Sequence, residues 1–458
     1  MSVASASART FRSLQRHRNY RLYFAGQLVS VTGTWVQNTA QAWLIVELTH
    51  SPLALGALAL FQYLPYSVLG LFGGPLVDRF DKRVTIVATQ TALMLSAAVL
   101  AGLAFSDTAV VWEVYVLAAW SGAVQVIDSP ARQAFVFEMV GRKELPNAVS
   151  LNSSLFNAAR VAGPAVGGAL IAGVGVGFCF AVNAASFLAV IASLLLMRPG
   201  ELYQSGRREP ESVLRSLREG LTWTLHTPAA WLPCALLFVV ATFGINFSVL
   251  LPVLASVTLR SGPVTFGIIT ACFGVGALTG ALITAAVGRP SWRLLLGGGG
   301  VFSALLLVLA PLHWVYACGA VLLLTGVAFT TYTSSSNSTV QLAAPDRMRG
   351  RAMSVYSYVF TGTAPLGGLL AGWLSAAGGT QLAFIVAGGV SLLAVVGAVA
   401  IRAQALGGAS AAATRPGRPS SSRSAHDREP GQGSLTSPGR IGVPAAAMAA
   451  SSMTSESK

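Results

Sequence analysis

Twelve runs of predominantly apolar residues follow one another between residues 22 and 401. A helix needs about 20 such residues to cross the hydrocarbon core of a bilayer. The runs are 22–46, 53–77, 84–105, 111–134, 147–173, 176–197, 229–255, 265–287, 293–311, 313–340, 353–375 and 380–401. They are numbered here as spans one to twelve. Runs such as 380–401 are continuous rather than alternating, which points to helices and away from a membrane β-barrel. Only 10% of the residues are charged and 53% are apolar, a balance opposite to that of disordered chains and beyond the need of a soluble core. The expected fold is an all-α polytopic membrane protein with twelve transmembrane helices in two six-helix halves.

The formal net charge is +14. A basic chain suggests nucleic acid as a partner, but the distribution of the charge explains it otherwise. Of the 30 Lys and Arg residues, 28 fall in the two termini, in alternate connections between spans, or at the span ends beside them, as Arg132 and Arg293 do. The opposite connections hold Arg260, and Arg160 lies inside span five. The excess of basic residues in cytoplasmic loops places both termini in the cytoplasm, as an even number of crossings also requires. No nucleic-acid partner is expected. Residues 1–21 carry five arginines and no apolar core of a signal peptide. The four cysteines fall in spans, lack CxxC spacing and read as small packing residues.

The longest internal connection, 198–228, separates six spans from six. The expected organisation is a cytoplasmic N-terminus (1–21), an N-terminal half (22–197), a central loop (198–228), a C-terminal half (229–402) and a disordered cytoplasmic tail (403–458). Within the central loop, Leu214, Leu217, Leu221 and Leu225 recur at helical spacing, the pattern of an amphipathic surface helix. A weak repeat supports duplication. Ala148, Ser150, Ser153 and Phe156 match Ala352, Ser354, Ser357 and Phe360, and Gly167-Gly168 matches Gly367-Gly368. Parallel six-span repeats are one plan for secondary transporters.

Polar groups inside spans are functional candidates because lipid does not tolerate them. Arg160 is the sharpest. Asp128 lies about 11 Å away along the membrane normal at 1.5 Å per residue, too far for easy pairing, so Arg160 is expected to face a central cavity, with a structural arginine as the alternative. Pro164 leaves the carbonyl of residue 160 without its helical donor and suggests a kink. Asp128 and Arg132 stand one turn apart in span four, and Glu113 lies near the other end of that span. No histidine falls mid-span, so proton carriage would rest on Asp128, Asp78 or Glu113; the alternative is that Asp128 and Arg132 shape a helix end. In span one, Gln27, Thr34, Asn38 and Gln41 form one stripe, lining a pathway or packing against other helices. Asn246 is the similar candidate in span seven.

The 2–3 connection reads Gly73-Gly74-Pro75-Leu76-Val77-Asp78-Arg79-Phe80-Asp81-Lys82-Arg83. It resembles the motif that major facilitator superfamily transporters carry between spans two and three. Gly33-Thr34-Trp35, the stretch from Asp128 to Phe135, the run Gly163-Pro164-Ala165-Val166-Gly167-Gly168 and the stretch from Pro345 to Arg351 look like its drug:proton antiporter branch, which includes enterobactin exporters and macrolide efflux proteins. The resemblance covers about residues 10 to 402 and departs in the 8–9 connection, 288–293, where no acid corresponds to Asp78. It implies alternating access between the halves, a cytoplasmic gate at Gly73, Gly74, Asp78, Arg79, Lys82 and Arg83, and proton-coupled export of an amphipathic small molecule. It also implies a monomer in a bacterial plasma membrane, with a small-molecule substrate, protons and lipid as its partners. A nutrient symporter, or a non-transporting receptor or scaffold, is the alternative. No P-loop, HExxH or histidine cluster is present, so no cofactor, metal or enzymatic activity is expected.

Overall fold

Helices at Arg18–Thr49, Pro52–Val77 and Lys82–Phe105 form spans one to three of a computed structural model that describes residues 11–203, 213–288 and 291–413. Among the described residues there is no strand, and nine helical stretches are long and apolar enough to cross a bilayer. Two of the nine are compound. Val111–Val174 is 64 residues long, about 96 Å at 1.5 Å per residue, three times a hydrocarbon core of about 30 Å. Its dihedrals leave the helical region at Gly141, where φ is +67°, a value open to glycine and costly for other residues. The break makes it spans four and five. Asp346–Gln404 divides in the same way at Gly378 and Gly379 into spans eleven and twelve. Span one stands outside the nine because it is so polar: Gln27, Ser30, Gln37, Thr39 and Gln41 are all buried in it. Twelve crossing segments result.

Local chemistry sets several helix ends. Pro52, Pro228 and Pro263 open helices at positions where a missing N–H costs nothing. Asp81 accepts the Val84 N–H at 2.9 Å and caps span three. Ser291 caps span nine through the Arg293 and Leu294 N–H groups at 3.1 and 3.4 Å.

One end of the bundle gathers the basic connections. Arg12 and Arg16 pair with Glu144 at 2.9 and 3.1 Å, Ser13 donates to Asn147 at 2.7 Å, and Arg83 donates to the Leu194 carbonyl at 2.9 Å. The N-terminal segment is thereby tied to the 4–5 connection, and the 2–3 connection to the end of span six. This is called the basic end below, and the opposite one the far end.

The central loop contains the expected helix, Val213–His226, but its packing face is not the leucine stripe. Gly220 and Thr224 are buried, with Gly220 against the Arg351 backbone, while Leu214, Leu221 and Leu225 are exposed. The small residues dock on span eleven and the leucines point outward, the arrangement of a helix lying at a bilayer surface. Arg351 anchors it through Glu219 at 2.5 Å. The last helix runs to Ala413, past the expected start of the tail at 403. Residues 414–458, on which the rest of that expectation falls, lie outside the described residues, as do 1–10, 204–212 and 289–290.

Candidate functional site

Asp128 is fully buried in span four. Its Oδ1 accepts from Thr89 Oγ1 at 2.6 Å and from Gln90 Nε2 at 2.9 Å, both on span three. Its Oδ2 faces Arg132 Nη2 at 2.5 Å, an ion pair rather than an aligned hydrogen bond. Arg132 in turn donates to Gln27 Oε1 of span one at 2.7 Å. Three helices therefore share one charge pair. The i,i+4 spacing makes the pair legible in sequence; Thr89, Gln90 and the link to Gln27 are not, because the partners come from other helices. A buried pair of this kind loses about 3–5 kcal/mol when one partner is removed.

Two adjoining cavities run along the interface of the halves. The one nearer the basic end has a volume of about 570 Å³ and includes Tyr23, Gln27, Thr34, Arg132 and Asn152 in its lining. Among the described residues, Thr361 is the one residue of the C-terminal half that lines it. The deeper one, about 310 Å³, is lined by both halves, with Arg160 and Tyr63 on one side and Asn246, Phe273 and Phe329 on the other. Trp35, Asn38, Gln41, Gln62, Tyr63 and Thr361 belong to both, so the space is continuous.

The deep cavity holds Arg160. Its guanidinium carbon lies 5.8 Å from the ring centre of Trp35, 5.9 Å from Phe273 and 5.6 Å from Phe329. The rings come from spans one, eight and ten, so both halves hold the cation. Among the described residues it has no ion pair or hydrogen bond, and neither cavity is lined by an acidic side chain. Cation–π contacts of this kind are worth about 0.5–2 kcal/mol each. Phe273 and Phe329 carry no signal in the sequence, since an apolar residue in a span looks the same whether it faces lipid or a cavity.

Asn246 sits in a break of span seven. The helix Pro228–Phe243 ends there and a second begins at Phe247. The Asn246 side chain donates to the Thr242 carbonyl at 2.8 Å and so covers one carbonyl at the break. Non-helical backbone at membrane depth is tolerated where it lines a cavity.

The far end is closed by two matching seams. Span five meets span eight, where a Cβ on Gly168 would stand 2.6 Å from the Pro263 carbonyl oxygen and 3.0 Å from Gly267 Cα. Span two meets span eleven, where a Cβ on Gly372 would stand 2.7 Å from the Pro52 oxygen and 2.9 Å from Gly56 Cα. Pro52 and Gly56 are spaced as Pro263 and Gly267 are, a Pro-x-x-x-Gly repeat that marks the same contact in both halves. The repeat is a sequence signal carried by proline and glycine, neither of which has a polar side chain. Further along the second seam, Ser67 Oγ donates to the Gly362 carbonyl at 2.9 Å and Tyr358 OH to the Ser67 carbonyl at 2.5 Å.

The other expected residues separate into groups. Gln27, Thr34, Asn38, Gln41, Arg132, Arg160 and Asn246 all line the cavity. Glu113 does not: it accepts the Val110 N–H at 3.3 Å at the start of its helix. The stretch Gly163, Pro164, Gly167 and Gly168 packs instead of breaking the helix. The backbone stays helical through Pro164, and Gly163 and Gly167 let span five close on Trp35 and Thr39 of span one. In the gate motif, Gly73 lets span two close on the Val126 carbonyl, whereas a Cβ on Gly74 would meet nothing within 4 Å. Asp78 and Arg79 are exposed, Asp81 rather than Asp78 caps span three, and Arg83 covers carbonyls at the end of span six. Among the described residues Asp78 has no side-chain partner.

Residues 9–426 match the transmembrane secretion effector family of the major facilitator superfamily. The chain belongs to that family. This transporter is 29% identical over 380 residues to the multidrug efflux pump Tap of Mycolicibacterium fortuitum, covering 78% of this chain and 89% of the relative. It is 22% identical to macrolide efflux protein A of Streptococcus pyogenes over 367 residues, 78% of this chain and 90% of the relative. In fold the transporter is similar to a crystal structure of the peptide transporter POT in complex with sulfate, with a TM-score of 0.69, 13% identity, and coverage of 85% of this chain and 95% of that one. The all-helical membrane-transporter fold expected from sequence is thus the observed one, and the described helices are compatible with twelve spans.

Proposed function

We propose that this transporter exports an amphipathic small molecule across a bacterial plasma membrane, with both termini in the cytoplasm and proton entry as the driving force. The observation that carries the reading is the shape of the interface. The larger cavity lies toward the basic end, while at the far end close glycine seams join the halves. With the basic end cytoplasmic, as the one-sided distribution of basic residues along the sequence favours, this is a state that loads from inside. The naming of the relatives as efflux pumps supports outward transport.

In this reading Asp128 is the proton carrier. Its acid oxygen is reached when Arg132 leaves it, and Gln27 on the cavity wall offers Arg132 a second acceptor. The transporter works as a monomer, because the cavity is complete within one chain. Flux by purified protein in liposomes under an imposed proton gradient tests the proposal, with a panel of drugs and siderophores. Gradient-driven accumulation of a panel member that collapses with an uncoupler is the expected result, and flux indifferent to the gradient contradicts coupling.

Two further outcomes follow from the geometry. Reporter fusions at residue 402 and beside Arg260 are expected to give opposite signals; identical signals contradict the orientation. Asp78→Asn is expected to leave the basic-end-open state intact, because Asp78 has no side-chain partner there among the described residues, and to weaken the closed one, in which a carboxylate meets a helix start or an arginine. Cysteines introduced at the basic end then label faster and turnover falls, while substrate affinity holds. Unchanged labelling with normal turnover reduces the motif to a topology signal.

A further inference from the structure

We infer that Arg160 is the recognition point for an anionic group, and that the deep cavity takes an amphipathic organic anion: a carboxylate or sulfonate attached to a flat apolar body. The inference names the substrate class of the exporter proposed above and rests on that reading for what happens after binding.

Two arginines line the continuous cavity, and they differ. Arg132 is answered by Asp128. Arg160 has ring faces around it and no carboxylate, in a space without a single acidic lining residue. A cation held this way by both halves repels another cation entering the same 310 Å³ and attracts an anion. Hydrogen-bond donors stand on the same wall. Asn38 and Gln62 line the cavity beside Arg160, and among the described residues their side chains make no hydrogen bond. An oxyanion placed on the guanidinium finds amide N–H donors there. The apolar side is equally built. Phe273 and Phe329 lie with ring centres 5.6 Å apart, and Phe247 continues the wall at 4.3 Å from Phe273. A flat ring carried by the anion stacks on these faces while its acidic group reaches Arg160.

Binding of the anion also has a consequence for transport. Arg160 and Trp35 belong to the N-terminal half, and Phe273 and Phe329 to the C-terminal half. A ligand that spans from the guanidinium to these rings touches both halves and therefore acts on their relative position.

The test uses three probes of one shape: 2-naphthoate, 2-naphthamide and 2-naphthylmethylammonium. Each is titrated calorimetrically into full-length protein in phosphatidylcholine nanodiscs, with empty nanodiscs subtracted. The wild type is expected to bind the anion at least about tenfold more tightly than the neutral amide, with the ammonium weakest. Arg160→Gln is expected to lose about tenfold or more for the anion and to change the amide by less than about threefold. Arg160→Lys keeps the order of the three probes, which separates loss of charge from loss of fold. A wild type that binds the three alike, or binds none, overturns the assignment, and so does an Arg160→Gln protein that binds the anion as the wild type does. Proton-driven flux in liposomes is a separate readout: flux without anion preference retires this inference and spares the export reading, and anion preference without flux does the reverse.

Discussion

Gly168→Val is expected to drive the transporter out of the state seen here. The added carbon would stand 2.6 Å from the Pro263 carbonyl oxygen and 3.0 Å from Gly267 Cα, and both neighbours are backbone. Neither yields as a side-chain tip does, so spans five and eight must part. Overpacking of this kind costs about 1–3 kcal/mol. Two alternating states differ by only a few kcal/mol, so a cost of about 2 kcal/mol changes their ratio about thirtyfold. The far end should then label readily with thiol reagents and the basic end should be protected. Gly372→Val is the matched experiment on the seam between spans two and eleven. Gly173→Val, on the same helix as Gly168 but with nothing within 4 Å, is the control and should leave the ratio unchanged. Equal accessibility in all three variants contradicts the clamping role of the seams.

Asp128→Asn is expected to abolish gradient-driven flux. The asparagine still accepts from Thr89 and still fills the buried site, so helix packing around it survives. The charge does not. Arg132 keeps Gln27 but loses its counter-ion, at a cost of about 3–5 kcal/mol if it stays in place. Movement of Arg132 into the water of the cavity relieves that cost, which uncouples the pair from any proton. Downhill exchange of substrate should persist while accumulation against a gradient fails. Accumulation with wild-type pH dependence removes Asp128 from the coupling path.

The spans are legible in the sequence because hydropathy reports directly on solvent. The polar stripe of span one is legible because lipid excludes amides, and Gln27, Thr34, Asn38 and Gln41 do line the cavity. The same rule brings out Arg160 and Asn246. What stays hidden has no signal of that type. Phe273, Phe329 and Tyr63 are compatible with lipid, core or cavity, so their convergence on Arg160 needs the fold. Thr89 and Gln90 reach Asp128 from another helix, and one sequence does not report such pairs. The Gly163–Gly168 run suggests a kink because of Pro164, yet its glycines serve contact between helices. The Pro-x-x-x-Gly repeat at Pro52 and Pro263 belongs to a different class. It is readable in the chain itself, and it marks Gly56 and Gly267 as equivalent contact points for Gly372 and Gly168. Glu113 shows the converse, an acid near a span end whose side chain caps its own helix and does not line the cavity.

The two ends of the one cavity are expected to open reciprocally about the glycine seams. Paired spin labels measure this directly. With the four native cysteines replaced, one pair at Ser106 and His313 spans the far end, and another at Lys143 and Arg293 spans the basic end; all four positions are exposed. Introducing Gly168→Val into each pair is predicted to lengthen the Ser106–His313 distance and shorten the Lys143–Arg293 distance in the same population of molecules. Distances that move together, or that do not move, contradict the account.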